Sequence, residues 1–534
     1  MNDHRWPGYR GFGLRVCVLL SMALAASTAS QAQRHPRDSE IHDADTRAWW
    51  HTTEALSNDS MEGRDTGSPA YERAAQYVAA RFKSAGLTAA GDGGGYFQSV
   101  PMHEIAVVAE GTRFTLVGSD GLEAELEFLQ QITITPSEGL PDNLDAALTF
   151  RGYCGKDVMA DITGKIVVCF GTQRASLPTS TVRAANAREG NALGIVNVDD
   201  PYFTIEPPRW PFAYARTVTL RSQPTPTAAK PLAIMRISAA AFATLLAGSG
   251  QNAEAILKAG GAKQSLPRFD IPAKMRVQLA LRQRDFSSPN ILAKLPGADP
   301  KLAAEYVVIA AHLDGYGFGT PVKGDNLYNG TLDDAAYVAL LIQMAEDLKA
   351  HRLRVPKRSI LFAAFTGEEK GLLGSHWFVA HPTVPAAELA ADVNLDQLRP
   401  LFPLRILTAE ALSDTTLGEI ARSVAAPLQI EIRPDAEPER NLLSRADQYP
   451  FLRIHVPAIS FIFGYDPDTD AERRYREWYQ VRYHRPQDDI NQPMDFAAAA
   501  KFDRFFYHLV EAIANDPVRP RIYPSSSFAA DILK

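Results

Sequence analysis

The sequence predicts an α/β fold in which helices cover both faces of a sheet. Short apolar runs, which are typical of buried strands, alternate with segments of helical periodicity between residues 286 and 515. The runs read YVVIAA, SILFAAF, ADVNL and AISFIF. The helix after Asp333 places on one face the apolar side chains of Leu341, Met344, Ala345 and Leu348. Strands that alternate with helices in this way form a sheet between two helical layers.

Length and composition indicate a globular protein of more than one domain. The chain has 534 residues, which is enough for two or three domains, and 46% of them are hydrophobic and 22% charged. The formal net charge is -7 and there is no long basic run. This charge balance argues against nucleic acid or an anionic membrane surface as the main partner.

The first 32 residues are typical of a secretory signal peptide. Arg5, Arg10 and Arg15 precede the apolar stretch VCVLLSMALAASTAS, and the small residues Ser30 and Ala32 follow it. We expect cleavage after Ala32 and export to the periplasm or to the medium. We expect no stable membrane anchor, because the apolar run is shorter than a bilayer span.

The rest of the chain divides into three blocks and a tail. The blocks are residues 40–125, 126–285 and 286–515, and the tail is 516–534. The second block changes to short β-rich runs separated by Gly and Asp, and it contains no cluster of catalytic residue types. Its two cysteines, Cys154 and Cys169, either pair or remain buried thiols. Its aromatic stretch YFTIEPPRWPFAY either forms a contact surface or packs on its own domain.

Histidines and carboxylates follow the predicted strands of the third block. In open α/β sheets, ligands bind outside the carboxyl ends of the strands, and such side chains suit a metal such as zinc. The residues concerned are His312, Asp314, Asp333, Asp334, Glu368, Glu369, Asp396 and, further along the chain, His484. Taken singly, each has an ordinary explanation: a structural histidine, a helix N-cap, or a buried and hydrogen-bonded carboxylate. Together they require a cation or specific donors, because unpaired carboxylates are costly to bury.

Five motifs in this order resemble the co-catalytic dizinc aminopeptidases. The motifs are AAHLDGYG, NGTLDDAAYVALL, RSILFAAFTGEEKGLLGS, NLD and RYHRPQDD. The family includes aminopeptidase Y, the bacterial leucyl aminopeptidases and, more distantly, glutamate carboxypeptidase II. The resemblance covers the third block and extends to GRDTGS in the first block. It implies the zinc exopeptidase fold, a phosphorylase/hydrolase-like mixed sheet flanked by helices. It also implies that the first block is the N-terminal part of the peptidase domain and that the second is an inserted protease-associated domain.

The resemblance also implies a role for each matching residue. His312 and Asp396 would bind one zinc ion, and Glu369 and His484 the other. Asp333 would bridge the two ions. Glu368 would be the general base, which takes a proton from the attacking water and delivers it to the leaving amine. Two supporting roles complete the set, with Asp314 orienting His312 and Asp488 orienting His484.

The sequence departs from the family pattern near the bridging aspartate and in the substrate site. Asp334 replaces a neutral amide, and Tyr337 replaces a glycine, where it either reshapes a pocket wall or fills a packing gap. The segment NLLSRADQYPF resembles a stretch near the active site of relatives and contributes Asp447 and Arg445. Arg445 is a candidate substrate contact, with a structural role as the alternative. The tyrosine that some relatives direct at the substrate carbonyl is not identified.

The function that the sequence favours is an exported zinc aminopeptidase acting on peptides, with two zinc ions per chain. Two other hypotheses about the function remain. One is a related dizinc carboxypeptidase or an amidohydrolase such as a glutaminyl cyclase. The other is a binding protein that has kept the fold and lost the chemistry, as transferrin receptors did. The sequence leaves side-chain preference, the native metals and the oligomeric state open.

Overall fold

A computed structural model describes Met1 and residues 35–221, 231–396 and 398–529. Most of the predicted signal peptide therefore lies outside the described residues. The chain divides into two units, Met1–His42 and Asp43–Lys534. In the first unit, a single 3₁₀ turn spans Asp38–Glu40 of the residues described there. The second unit carries the sheet and the α-helices.

The strands and helices of the second unit have the following bounds. The strands are β1 (Thr88–Ala89), β2 (Phe97–Gly118), β3 (Glu123–Leu126), β4 (Ile132–Thr135), β5 (Asn143–Arg151), β6 (Ile166–Gly171), β7 (Gly194–Asp199), β8 (Arg216–Leu220), β9 (Ala233–Ile237), β10 (Arg268–Leu295), β11 (Tyr306–His312), β12 (Gly317–Val322), β13 (Asp325–Tyr328), β14 (Ser359–Phe365), β15 (Leu389–Leu395), β16 (Ile406–Glu410), β17 (Glu431–Arg433) and β18 (Ala458–Gly464). The helices are α1 (Ala44–Ser57), α2 (Pro69–Ser84), α3 (Ser180–Glu189), α4 (Phe242–Leu245), α5 (Ala253–Gly261), α6 (Ala336–Lys349), α7 (Leu373–Ala380), α8 (Leu417–Ala425), α9 (Gln448–Arg453), α10 (Asp470–Val481) and α11 (Phe496–Asn515).

The third block forms a mixed sheet with buried central strands. The order is β17-β16-β18-β15-β11-β14-β10. Strands β18, β15, β11 and β14 are parallel to one another, and β10 is antiparallel to β14. β16 is antiparallel to β18 and parallel to β17. All residues of β14 and β15 are buried, as expected for parallel strands covered by helices on both faces. The predicted fold class, a mixed sheet flanked by helices, is confirmed.

The second block forms a smaller, mostly parallel sheet. The order is β5-β6-β7-β9-β4, and β4 alone of these strands is antiparallel to its neighbour. Helix α3 connects β6 to β7, and its Thr179 N-cap side chain accepts a hydrogen bond from the Val182 N–H. A disulfide joins Cys154 to Cys169, which the sequence left open.

Two long strands connect the two sheets. β2 and β10 pair antiparallel from Gly118 opposite Ala273 to Phe97 opposite Ile291. One end of β10 pairs with β5 and the other with β14. The expected boundary at residue 285 falls inside β10, so the division into domains remains a proposal. No helix among the described residues has the length and the apolar character needed to cross a membrane.

Candidate metal centre

The parallel strands bring the predicted site residues to one edge of the sheet. His312 is the last residue of β11, and Asp396 directly follows β15. Glu368 and Glu369 come just after β14, in a short 3₁₀ turn. Because β15, β11 and β14 are neighbours and run in the same direction, their carboxyl ends lie side by side.

The turn after β14 directs two adjacent glutamates to different histidines. Gly367 has a φ of 65°, and a Cβ there would lie 3.0 Å from Cε of Met102, so the turn requires glycine. Beyond it, Oε2 of Glu368 lies 3.8 Å from Nε2 of His312. Oε2 of Glu369 lies 3.3 Å from Nε2 of His484. The adjacent carboxylates thus belong to different halves of the site.

Asp333 lies between the two histidines. Its Oδ1 is 3.2 Å from Nε2 of His312, and its Oδ2 is 3.2 Å from Nε2 of His484. A carboxylate placed in this way can contribute one oxygen to each of two ions. The structure differs from the helix N-cap alternative, because Asp333 lies in a π-helical turn and α6 begins only at Ala336.

Asp334 points to the His312 side of the site. Its Oδ2 accepts a hydrogen bond of 3.1 Å from the backbone N–H of His312. One ligand atom each from His312, Asp334 and Asp396 lies within 4.8 Å of the others, and the same holds for Asp333, Glu369 and His484. The structure therefore brings together all five predicted ligands and adds Asp334 to their surroundings.

Burial controls the electrostatics of this cluster. It raises the pKa of the Asp334, Glu368 and Glu369 carboxyls well above their usual range. It also raises the pKa of Asp396 to about 7. Burial opposes the charged form of Asp333 as well, but hydrogen bonds from His312 and His484 lower the pKa of this carboxyl. Most of these carboxylates therefore lack the positive charge that would hold them ionised.

The two histidines differ in their surroundings. Burial lowers the pKa of His484 to about 4, so its imidazole is neutral at physiological pH. Burial acts in the same direction on His312, but the carboxylates of Glu368 and Asp334 raise its pKa well above the usual value. A histidine must be neutral to bind a metal, and a cation beside these carboxylates would compete with the proton on His312.

Asp314 was predicted to orient His312, and it also holds the turn after β14. His312 Nδ1 is 3.0 Å from the backbone carbonyl oxygen of Asp314, while the Asp314 carboxylate is 3.8 Å away from it. The carboxylate instead accepts hydrogen bonds from the Glu368 N–H, at 3.0 Å, and from the Thr66 hydroxyl, at 2.8 Å. Asp314 thus fixes both a histidine and the turn that carries Glu368.

Asp488 has a different partner from the one expected. Its carboxylate accepts hydrogen bonds from the backbone N–H groups of Leu332 and Asp333, at 3.0 and 3.1 Å. The group next to Nδ1 of His484 is the hydroxyl of Tyr316, at 2.8 Å. The expectation that Asp488 orients His484 is therefore corrected: Asp488 holds the turn that presents Asp333. Apart from its position after the Asp314 motif, nothing in the sequence indicated a role for Tyr316.

Arg445 forms an ion pair with the second block. Its Nη1 and Nη2 donate to the two carboxylate oxygens of Glu206, at 2.7 and 3.1 Å. Nη2 also lies 3.3 Å from the hydroxyl of Tyr483. Glu206 belongs to the cap loop, defined here as residues 200–215 between β7 and β8. The cap loop contains the whole aromatic stretch noted in the sequence, and it reaches the edge of the site.

Asp447 and Tyr337 are interior residues. The Asp447 carboxylate accepts a hydrogen bond from the Ser375 hydroxyl, and burial raises its pKa to about 7. The Tyr337 hydroxyl accepts a hydrogen bond of 3.0 Å from the Arg399 N–H, and only 2% of the residue is exposed. Of the two alternatives for Tyr337, the structure favours interior packing.

Arg64 of the GRDTGS motif connects two segments of the site by hydrogen bonds. Its guanidinium donates to the backbone carbonyls of Leu313, Asn329 and Gly330 at 2.7–2.9 Å. These carbonyls belong to the segments that carry His312 and Asp333. Burial lowers the pKa of Arg64 to about 10, which still leaves it charged at neutral pH. The motif alone did not indicate this role, because the partners are distant in sequence.

The residues present fit a divalent metal. Oδ1 of Asp334 and Oδ1 of Asp396 are buried and accept no hydrogen bond from any residue that the structure describes. Buried carboxylate oxygens without donors are costly, and a cation between them removes that cost. Imidazole and carboxylate ligands in this combination suit zinc.

Comparison with known proteins shows that the third block resembles a family of peptidases. Residues 290–510 match the model of peptidase family M28. A "Probable zinc metalloprotease" of Pyrenophora tritici-repentis (strain Pt-1C-BFP) is 25% identical over 267 residues, which cover 43% of this chain and 58% of that protein. This chain spans about half the length of the curated relatives it matches.

Solved structures share the fold over most of the chain. An aminopeptidase from Aneurinibacillus sp. strain AM-1 superposes with a TM-score of 0.58 at 17% identity, covering 91% of this chain and 98% of that one. A zinc aminopeptidase from Bacillus subtilis gives a TM-score of 0.55 at 18% identity, covering 88% and 95%. At this level of identity the likeness establishes the fold.

Proposed function

Because residues 290–510 form a peptidase family M28 domain, we propose that this protein is a zinc-dependent aminopeptidase. It hydrolyses the first peptide bond of peptides that carry a free N-terminal amine. The observation that carries the proposal is the convergence of buried imidazoles and carboxylates at the carboxyl ends of β11, β14 and β15. The names of its structural neighbours, which include a zinc aminopeptidase, support the same activity.

In this proposal, two zinc ions are held by five side chains. His312 and Asp396 hold one ion, Glu369 and His484 hold the other, and Asp333 contributes to both. The position of Asp333 between the two histidines, 3.2 Å from each, supports this division. Bound zinc would polarise the scissile carbonyl and make a water molecule more acidic.

Glu368 is the proposed general base. Its carboxylate is close to His312 without replacing any proposed ligand, and its backbone is fixed by the Asp314 carboxylate. It takes a proton from the attacking water and delivers it to the leaving amine. Asp314 positions Glu368 through the backbone and has no direct contact with substrate in this scheme.

A small negative cavity supports recognition of a free amine. A space of about 30 Å³ beside Asp396 is lined by Glu410, Tyr483, Arg445 and neighbouring side chains, and the charge of Arg445 is paired with Glu206. Oε1 of Glu410 is buried and accepts no hydrogen bond from the described part of the chain. An ammonium group would donate to this oxygen, while the neighbouring Asp396 carboxylate serves the metal. This feature favours an aminopeptidase over a carboxypeptidase.

We also propose that the protein is exported and that its second block is a protease-associated domain. The N-terminal sequence has the features of a signal peptide, and the Cys154–Cys169 disulfide suits an oxidising compartment. The second block is β-rich and connects to the peptidase domain through β2 and β10. Its cap loop lines the space beside Tyr316 and His484, where it can shape access to the substrate.

A matched peptide pair tests the proposed activity. The zinc-loaded protein is incubated with a peptide that has a free α-amine and with its N-acetylated form, and the products are identified by mass spectrometry. We expect loss of the first residue from the free-amine peptide alone. The Glu368→Gln protein should bind zinc normally and be slower by about 10²–10⁴-fold, the usual contribution of a general base.

Other outcomes would replace the proposal. Release of C-terminal residues from both peptides would indicate a carboxypeptidase. Absence of cleavage with zinc bound would favour an amidohydrolase or a binding protein.

A further inference from the structure

A chamber of about 160 Å³ lies on the His484 side of the metal centre. The cap loop and the segment around His484 form its walls. At roughly 30 Å³ for each water molecule, it holds about five waters, or the atoms of one small amino-acid residue. Three arginines line it, namely Arg209, Arg236 and Arg485, and we call it the arginine-lined chamber.

The arginine-lined chamber is next to the reacting groups. Tyr316, His484 and Arg485 line it and also line a space of about 10 Å³ that reaches Asp333 and Glu369. The small negative cavity, by contrast, lies beside Asp396 at the other half of the centre. If a peptide bond is held at the metal centre, the residue before it lies toward the small negative cavity and the residue after it lies toward the arginine-lined chamber.

The charge of the arginine-lined chamber is positive. Its single lining carboxylate, Glu206, pairs with Arg445 from outside the chamber and with Nη2 of Arg209, at 3.3 Å, inside it. Nη1 of Arg209 is buried and donates to no described residue. Arg485 donates to the backbone carbonyls of Trp210 and Pro211, which leaves its charge uncompensated by those contacts. Arg236 pairs with Asp199, which lies outside the lining.

The two ends of the site therefore carry opposite charge. An ammonium group fits beside Glu410, and a carboxylate fits among the guanidinium groups of the chamber. A molecule with both charges separated by a single peptide bond is a dipeptide. Arginine is well suited to this role because its fork of N–H donors matches the two oxygens of a carboxylate.

We propose that the arginine-lined chamber binds the free α-carboxylate of the residue that follows the scissile bond. The inference rests on the proposed aminopeptidase function and narrows it to a preference for dipeptides. Arg209 is the main contact, because its buried Nη1 has no partner among the described residues. A dipeptide amide, which has the same shape without the charge, should be a poor substrate.

The test compares substrates that share their first residue. For the zinc-loaded full chain, kcat/KM is measured on Leu-Ala, Leu-Ala amide, Leu-Glu amide and Leu-Ala-Ala-Ala-Ala. We expect Leu-Ala to exceed its amide and the pentapeptide by about 10- to 100-fold, as a charge-assisted hydrogen bond allows. Arg209→Gln should reduce the ratio of Leu-Ala to its amide at least tenfold, and Arg209→Lys should restore part of it.

A matched control separates this effect from a general loss of charge. Arg276 is an exposed arginine of the second block that pairs with Glu123 and is not part of the chamber lining. Arg276→Gln should keep the wild-type ratio. Calorimetric titration of the Glu368→Gln protein with Leu-Ala and with its amide gives a second readout that does not depend on turnover. The free carboxylate should bind more tightly, and Arg209→Gln should remove the difference.

Three results would overturn the inference. The first is equal kcat/KM for Leu-Ala and its amide, which would leave the aminopeptidase function intact. The second is rapid cleavage of Leu-Glu amide with slow cleavage of Leu-Ala amide, which would assign the chamber to an acidic side chain. The third is an unchanged ratio or binding difference in folded Arg209→Gln protein. Failure to cleave any of the four substrates with zinc bound would instead reject the proposed function, and equal binding in the titration would then reject the chamber as well.

Discussion

Adjacent residues of this site face different groups because the backbone turns between them. Glu368 faces His312 and Glu369 faces His484, since the turn after Gly367 separates their directions. On a regular helix or strand, neighbouring side chains also diverge, but they could not both reach one buried centre. The Asp333–Asp334 pair shows the same division within its π-helical turn.

The Asp333–Asp334 pair offers a matched test of the proposed bridge. Asp333→Asn should lower bound zinc and reduce activity by more than the roughly 10- to 100-fold that loss of a supporting partner causes. Asp334→Asn should retain zinc, because its amide oxygen can still accept the hydrogen bond from the His312 N–H. Zinc content and kcat/KM of the two purified variants provide the measurement. The reverse order of effects would make Asp334 the ligand and Asp333 the support.

The types of ligand could be predicted from the sequence, but their supports could not. His312, Glu369 and Asp396 follow apolar runs, so their place at the strand ends is readable from the pattern. The contacts of Asp488 and Tyr316 depend on how the segment around His484 packs against the turn before α6. Such contacts join residues more than 150 positions apart, and local periodicity carries no information about them.

At the level of the element, the turn before α6 is held by hydrogen bonds to Asp488, which we call the Asp488 clamp. Asp488 accepts hydrogen bonds from the N–H groups of Leu332 and Asp333, and Gln492 donates to it at 2.6 Å. An amide at position 488 has one acceptor oxygen and cannot receive all three. One buried N–H would then lose its partner.

Asp488→Asn should therefore weaken both the turn and the metal site. We expect zinc affinity to fall by about 10- to 100-fold and the free energy of unfolding to fall by about 1–3 kcal/mol. A competing chelator measures the affinity, and urea unfolding of the zinc-free protein measures stability. Asp489→Asn is the control, because the Asp489 carboxylate caps only the nearby Asn491 N–H. Equal effects of the two variants would show that the Asp488 clamp does not support the site.

The short strands and the helices were predicted well from the sequence, but the two long strands β2 and β10 were not. The strands of the third block and the helix around Val78 lie where their periodicity placed them. β2 and β10 were not foreseen, because Pro101, Gly111, Pro272 and Pro289 interrupt their patterns. The register of β10 with β5 shifts between Ile271 and Lys274, where Pro272 is tolerated at an irregularity.

On the scale of the whole molecule, an ion pair connects the cap loop to the peptidase domain. Burial disfavours the charge of Glu206, but Arg445 and Arg209 lower its pKa to about 2. The pair adds stability above the usual glutamate pKa of 4.5, and this contribution is lost as the pH falls from 4.5 toward 2. The sequence could not show this contact, because 239 positions separate the partners.

Glu206→Gln should destabilise the protein in a pH-dependent way. At pH 7 we expect the free energy of unfolding to fall by about 1–3 kcal/mol, between the values for exposed and buried pairs. The difference from wild type should shrink as the pH is lowered below 4.5. Urea unfolding at several pH values is the measurement. Glu125→Gln, which breaks an exposed pair with Arg113, should have a small effect at every pH. A pH-independent effect of Glu206→Gln would mean that the carboxylate charge is not what stabilises the contact.

The central claim is that zinc held by His312, Asp333, Glu369, Asp396 and His484 makes this chain an aminopeptidase. Titration of the metal-stripped protein with zinc, followed by hydrolysis of a free-amine peptide at each step, tests it most directly. We expect activity to appear with zinc and to level off when about two ions are bound per chain, as in two-metal hydrolases. Activity that is independent of zinc, or saturation with zinc bound and no hydrolysis, would contradict the account.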